Sequence, residues 1–269
     1  MRQSGFVLLL IPRCTYCFLI MAQQSDIEWT DATWNPWQGC EKVSQGCKFC
    51  YAERLSERFG KKFSYVFRSS EKTFFSPLKW KQQNNVFTCS ISDFFIKEAD
   101  PWRNEAWDII RKTPHRYLIL TKRPHRIPEC LPPDWGNGYN NVYLGTSGET
   151  AADIIKRSRE IATVPAKYKF ISIEPLLESV SDKIGNALDV FHWVIVGGES
   201  GSYNKFRNCE AEWIAGIVNL CKQKNIPVFV KQMGSRYAKK HNMNNFKGGN
   251  IDQFPKNLQI REFPWQHLK

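Results

Sequence analysis

Three cysteines, Cys40, Cys47 and Cys50, fall within eleven residues, in the run Gly39-Cys40-Glu41-Lys42-Val43-Ser44-Gln45-Gly46-Cys47-Lys48-Phe49-Cys50. Three thiolates can hold an iron-sulfur cluster and leave one iron without a protein ligand. That open position separates reaction chemistry from scaffolding, because clusters that only carry electrons usually have four cysteine ligands. Gly39 and Gly46 are expected to let the backbone turn tightly around the metal. The alternative for a short C-x-x-C pair is a structural zinc or a redox couple. Zinc wants a fourth ligand, yet no histidine precedes His115. The next cysteine, Cys89, lies in the alternating run Val86 to Ile91, where it shares a side with Phe87 and reads as a buried thiol. Spacing alone leaves cluster and zinc both open.

Such a loop needs elements that hold it. Apolar, β-branched runs recur at Val86 to Ile91, Tyr117 to Leu120, Val142 to Leu144, Phe170 to Ile173, Trp193 to Val196 and Val228 to Val230, each separated by room for one helix. A short strand near Ala32 to Asn35 would lead into the cysteine loop. Strand-helix alternation of this kind is the signature of a parallel sheet. The close spacing of the units predicts an α/β fold, a single partial TIM-like (β/α) barrel of six to seven parallel strands. Helices are predicted at Tyr51 to Phe59, stopped by Gly60; at Trp102 to Lys112, stopped by Pro114; at Thr150 to Thr163; and at Glu210 to Lys224. Each strand ends in polar residues, among them Ser92-Asp93, Thr121-Lys122-Arg123, Glu174-Pro175 and Gly197-Gly198-Glu199. Those are the C-terminal strand ends, where parallel α/β proteins place their sites. Alternation puts Phe170, Ser172 and Glu174 on one face, Ile171 and Ile173 on the other, and aligns Thr88, Ser90 and Ser92. The cysteine loop and the polar strand tops therefore converge on one mouth.

The 269 residues, 42% apolar and 24% charged, suffice for one large domain with a well-buried core. Residues 21–269 are expected to form it. The preceding segment 1–20 is apolar but broken by Pro12 and Arg13, too short to span a bilayer and without a small-residue cleavage site. It reads as an upstream extension or a disordered segment before Met21, with Cys14 and Cys17 accidental. Nine cysteines, an odd number, do not form a secreted disulfide framework, and the expected compartment is the reducing cytoplasm. A formal charge of +12, from 38 basic and 26 acidic residues, points to a polyanionic partner such as nucleic acid, although dispersed charge also serves solubility.

Taken together, Thr33-Trp34-Asn35-Pro36-Trp37, the three cysteines, Cys50-Tyr51-Ala52-Glu53, Thr121-Lys122-Arg123-Pro124, Glu174-Pro175-Leu176-Leu177, Val196-Gly197-Gly198-Glu199-Ser200-Gly201 and Lys231-Gln232 make a recognisable set. From Ile27 to Pro264 the chain resembles phage-type three-cysteine proteins of unassigned function, at the edge of the radical S-adenosylmethionine superfamily. The resemblance implies a partial barrel holding a [4Fe-4S] cluster on Cys40, Cys47 and Cys50, with S-adenosylmethionine on the fourth iron. It implies reductive cleavage of the sulfonium to a 5′-deoxyadenosyl radical that abstracts hydrogen from a substrate. The first gap between cysteines is six residues, where the superfamily commonly has three. Gly197-Gly198-Glu199 resembles the element that contacts the methionine amino group, but it follows the sixth strand rather than the second.

The cofactor-binding candidates are accordingly Gly197, Gly198, Glu199, Glu174, Lys122 and Lys231. The glycines would let backbone approach a ligand, or simply make a tight strand-to-helix turn. Glu199 could accept hydrogen bonds from an ammonium or ribose, and Lys122, Arg123 and Lys231 could bind phosphate or a carboxylate, or pair with Glu174. Trp29, Trp34 and Trp37 would shield the cluster, stack a base or fill the core. Cys89, Cys130, Cys209 and Tyr51 are the candidates for a hydrogen donor. The segment from Lys247 to Pro264 would form a closing strand or lid. Three functions remain: a radical S-adenosylmethionine-type enzyme acting on a nucleic acid or nucleotide, an iron-sulfur nucleic-acid-binding or redox-sensing module without turnover, and a zinc-stabilised structural protein. The expected partners are a nucleic acid, an external electron donor and a neighbouring partner protein, with no membrane.

Overall fold

The structure, a computed structural model, describes residues 25–201 and 205–266. The expected extension 1–20, with Cys14 and Cys17, lies outside the described residues. Strand β1 (Ala32–Trp34) is followed by two short strands, β2 (Trp37–Gln38) and β3 (Phe67–Arg68). Then come β4 (Asn85–Thr88), β5 (Arg116–Thr121), β6 (Val142–Ser147), β7 (Tyr168–Ile173), β8 (Trp193–Gly197) and β9 (Val228–Gln232). Seven of them form one sheet in the order β1-β4-β5-β6-β7-β8-β9, every neighbouring pair parallel. The sheet curls into an open half-barrel, the partial α/β barrel the sequence predicts. Sequential order arises because each strand returns through a crossover on the same side.

The crossovers carry α3 (Asp100–Lys112), α4 (Ile127–Cys130), α5 (Ala151–Ala162) and α6 (Ala211–Gln223), whereas α1 (Tyr51–Arg58) and α2 (Glu71–Phe74) lie between β1 and β4, and α7 (Ser235–Lys240) follows β9. Local signals set the boundaries. Pro101 stands in the first turn of α3, and Thr113, before Pro114, ends it in extended conformation. Thr150 caps α5, its hydroxyl accepting the Asp153 N–H at 3.2 Å. Ile214, Ile217, Val218 and Cys221 recur at helical spacing and form the buried stripe of α6.

Alternation along the strands divides the core in two. Tyr117, Ile119, Val142, Leu144, Ile171, Ile173, Val194 and Val196 pack outward beneath the helices. Phe87, Leu118, Tyr143, Phe170, Trp193, Ile195 and Phe229 point inward, and Trp29 closes on them with ring centroids 4.7 Å from Phe87 and 6.1 Å from Trp193. The lower half of the half-barrel is thus filled with aromatic rings, and only its upper end is free for a site. Trp34 and Trp37 are buried elsewhere, donating to the carbonyls of Phe74 (2.9 Å) and Asp93 (3.1 Å), so their work is packing.

Two expectations need correction. Cys89 does not share the Phe87 side: β4 ends at Thr88, Cys89 takes φ +63°, and its side chain joins the outer cluster. The tail supplies no closing strand among the described residues, only a single antiparallel bridge from Arg261 to Phe229 and short 3-10 turns. The antiparallel β2–β3 pair was not foreseen, and it clamps the base of the cysteine loop. Among the described residues, no helix is long and apolar enough to cross a membrane.

Candidate functional site

The cysteine loop leaves β2 at Gly39, whose φ of +90° and whose position against the Tyr65 carbonyl, 2.2 Å from where a Cβ would sit, admit only glycine. Cys40 N–H then bonds the Phe63 carbonyl at 2.8 Å, and Ser92 Oγ donates to the Gly39 carbonyl at 2.5 Å. The second glycine works differently from the expected turn. Gly46 leaves room for the side chain of Glu149, whose Cγ and Oε1 lie 2.4 Å from a Cβ there. Glu149 is fully buried, ion-paired with Lys122 and bonded by Arg157 at 3.1 Å.

Cys40, Cys47 and Cys50 are half-buried and open onto one cavity of about 480 Å³ at the C-terminal ends of the strands. Each sulfur meets a different environment. Burial and the Asp93 carboxylate push the Cys40 thiol up to about 12, against Arg123, whose Nη1 lies 3.7 Å from Sγ. Burial also raises Cys47, but the Lys122 ammonium, the amides of Val43 and Ser44 and the Ser44 hydroxyl at 3.8 Å outweigh it, and the net shift is downward. Cys50 sits at the N-cap of α1; burial raises it, while the Glu53 and Ala52 amides of the first turn pull the other way. Burial drives the Lys122 ammonium down to about 8, opposed by Cys47.

The cations are held by a buried frame. Asp93 Oδ1 accepts from Thr121 Oγ1 (2.7 Å) and the Phe95 N–H (2.9 Å), and Oδ2 from the Lys122 N–H (3.0 Å) and Arg123 Nη1 (3.1 Å). Arg123 Nη2 donates to the Glu41 carbonyl at 3.0 Å, so Asp93 aims this guanidinium at the cysteine loop. On the far side Arg207 does the same. Its Nη2 and Nε bond Glu199 at 2.5 and 2.9 Å, its Nη1 reaches the Gln45 carbonyl at 3.0 Å, and its guanidinium lies 5.6 Å from the centre of the Phe49 ring.

Of the predicted cofactor-binding residues, Lys122, Glu174, Gly198, Glu199 and Lys231 line the same cavity as the three cysteines, and Gly197 does not. Glu174 accepts from Ser172 Oγ at 3.1 Å and pairs with Lys231 Nζ at 3.3 Å. Gly197 makes space for Glu174, 2.7 Å from a Cβ there, and Gly198 for the Met233 carbonyl at 2.4 Å. Protein atoms therefore occupy the approach those two glycines allow. Of the hydrogen-donor candidates, Cys89 and Tyr51 reach the cavity, while Cys130 and Cys209 do not. Sequence reasoning missed Asp93, Glu149, Arg157 and Arg207 as parts of the site; the polar strand ends flagged the Asp93 position without its partners.

A family model for a protein of unknown function, DUF5131, matches residues 24–255. The chain belongs to the DUF5131 family. No curated protein matches its sequence. The solved structure of a spore photoproduct lyase point mutant is similar in fold, with a TM-score of 0.55 over 82% of this chain and 80% of that one. Sequence identity is 12%, so the likeness shows a shared partial-barrel architecture alone.

Proposed function

We propose that this DUF5131 protein is an iron-sulfur enzyme of the radical S-adenosylmethionine type, acting on a nucleic acid or nucleotide. One observation carries the reading: three cysteines open onto the same cavity as a carboxylate–ammonium pair, at the active end of a partial barrel. The residues fit a [4Fe-4S] cluster. The donors are the three half-buried thiols of the loop; the fourth thiol of the cavity, Cys89, is buried and held well above its ordinary range by burial, and Arg123, Lys122 and the first-turn amides of α1 offset the negative charge that loop thiolates would bring. The zinc alternative is decided by the metal analysis below. Zinc needs its ligands about 2.3 Å from one point; a cluster spreads its thiolates more widely.

When bound, such a cluster would supply the electron for reductive cleavage of the sulfonium of S-adenosylmethionine. The chain's own residues bind and orient. Glu174 and Lys231 lie side by side in the cavity, and their paired charges suit the ammonium and carboxylate of an amino-acid moiety. Glu199 is already held by Arg207, and its part is to fix that guanidinium against the cysteine loop. Lys122 balances Cys47 while bound to buried Glu149. The aromatic floor of Trp29 and Phe87 keeps water from below. The charge of +12 supports a polyanionic substrate, and the buried frame around the thiols, with cavity left beyond them, supports turnover over sensing.

Anaerobic reconstitution followed by iron, sulfide and zinc analysis tests the reading. Wild-type protein is expected to hold about four irons, and each of Cys40→Ala, Cys47→Ala and Cys50→Ala to lose most of them. Zinc in place of iron, or three variants that keep full iron, would defeat it.

A further inference from the structure

One face of α1 turns to the cavity with much of its hydrogen-bonding capacity unused. Tyr51, Arg54, Leu55 and Arg58 follow one another at helical spacing, and all four line the cavity. Arg54 Nη1 is buried and finds no hydrogen-bond partner; only Nη2 is engaged, at 3.4 Å from the Ser200 carbonyl. Neither Arg54 nor Arg58 is ion-paired among the described residues, whereas Lys42, Lys122, Arg123, Arg207 and Lys231 around them each have a carboxylate. A buried guanidinium group with nothing to donate to is costly unless an acceptor arrives. The same cavity is lined by Phe246, 65% exposed, with Lys247 beside it. An exposed aromatic ring and two cations without a carboxylate partner on one cavity fit a ligand with both flat apolar faces and repeated negative charge.

We propose that this rim binds a single-stranded polynucleotide, with phosphates on Arg54 and Arg58 and an unpaired base stacked on Phe246. The inference rests on the nucleic-acid reading above and narrows it. The two arginines lie one turn apart, about 6 Å along the axis, so one extended strand can offer them successive phosphates. A duplex cannot present a base face to Phe246, because its bases already stack on each other. Chemistry on a base requires it to leave the stack in any case, and a cavity of about 480 Å³ admits an unpaired nucleotide from such a strand.

Fluorescence anisotropy with a labelled twelve-residue oligothymidylate, against a duplex of the same length, tests this without turnover. The full chain is titrated at several salt concentrations. Expected is tighter binding of the single strand, with log K falling linearly with log salt. Arg54→Gln with Arg58→Gln should lower that slope by about 1.4, two contacts at about 0.7 each for single strands. Phe246→Ala should weaken binding roughly 5- to 150-fold, as loss of one base stack does. Arg58→Lys should keep the slope and so rule out misfolding, and Lys112→Gln, on the exposed side of α3, should change binding little. Equal affinity for duplex and single strand, or a wild-type slope in the double variant, would overturn the proposal. Because the binding assay needs no cofactor cleavage, its failure is distinct from loss of iron or of cofactor cleavage, which would strike the enzymatic reading instead.

Discussion

Replacing Gly46 by alanine isolates the contact between the cysteine loop and the buried charge network beneath it. Gly46 has no left-handed φ, so the backbone itself accepts alanine and the effect is steric. The new Cβ would lie 2.4 Å from Glu149 Cγ and Oε1 and 2.5 Å from Cδ. On a surface such a carboxylate would swing aside. Here it is fully buried, paired with Lys122 and bonded by Arg157, so it moves only by giving up those partners. Overpacking a rigid site costs about 1–3 kcal/mol, and exposing part of a buried ion network adds to that. A loss of about 3 kcal/mol is expected, which in a domain of this size lowers Tm by roughly 6–12 °C. The next residue is Cys47, so a displaced loop should also reduce iron retained after anaerobic reconstitution. Gly185→Ala is the comparison, because nothing lies within 4 Å of its Cβ position and its φ is ordinary; it should leave Tm unchanged or slightly raised. If Gly46→Ala melts with Gly185→Ala and retains the same iron, Glu149 is not the support of the loop and the reasoning fails.

Other perturbations probe the rest of the frame. Asp93→Ala strands the Arg123 guanidinium in a buried position and should cost about 3–5 kcal/mol in urea unfolding; a negligible cost would mean that Arg123 finds another partner. Glu199→Gln should cost about 1.5–3 kcal/mol, by weakening the charge-assisted bonds to Arg207, and should loosen the Gln45 contact, read as faster loss of iron to a chelator. Burial raises the Asp100 carboxyl, but bonds from Arg103 and Arg126 outweigh it and hold it below the ordinary 3.8. Its contribution is therefore present above that value and lost as pH falls through the depressed one. Asp100→Asn should melt below wild type at neutral pH, with the gap closing under acid conditions; a gap independent of pH would contradict this.

The strands were legible because a parallel sheet covered on both faces needs uninterrupted apolar runs, as in Val142 to Leu144 and Trp193 to Val196. The inward and outward faces of β7 followed from alternation, with Phe170 in the aromatic filling and Ile171 and Ile173 beneath the helices. Alternation failed at Cys89 because the strand stops one residue earlier, and nothing in residue type announces a φ of +63° at a cysteine. The β2–β3 pair is two residues long on each side, below the length at which a period can be read. The three cysteines declared themselves by spacing. Their supports did not, because Gly46 meets Glu149, and Arg207 meets both Glu199 and Gln45, only after the barrel has closed the distance. Gly197 and Gly198 suggested a ligand's approach, yet a neighbouring carboxylate and carbonyl have the same need for space.

The most direct test of the enzymatic reading is incubation of the anaerobically reconstituted chain with dithionite and S-adenosylmethionine, followed by assay for 5′-deoxyadenosine. Wild-type protein should form it and Cys47→Ala should not, with Glu174→Gln and Lys231→Gln forming less because the amino-acid moiety loses its paired charges. Protein that carries a full complement of iron and yields no 5′-deoxyadenosine would contradict the radical chemistry and leave the cluster a binding or sensing role.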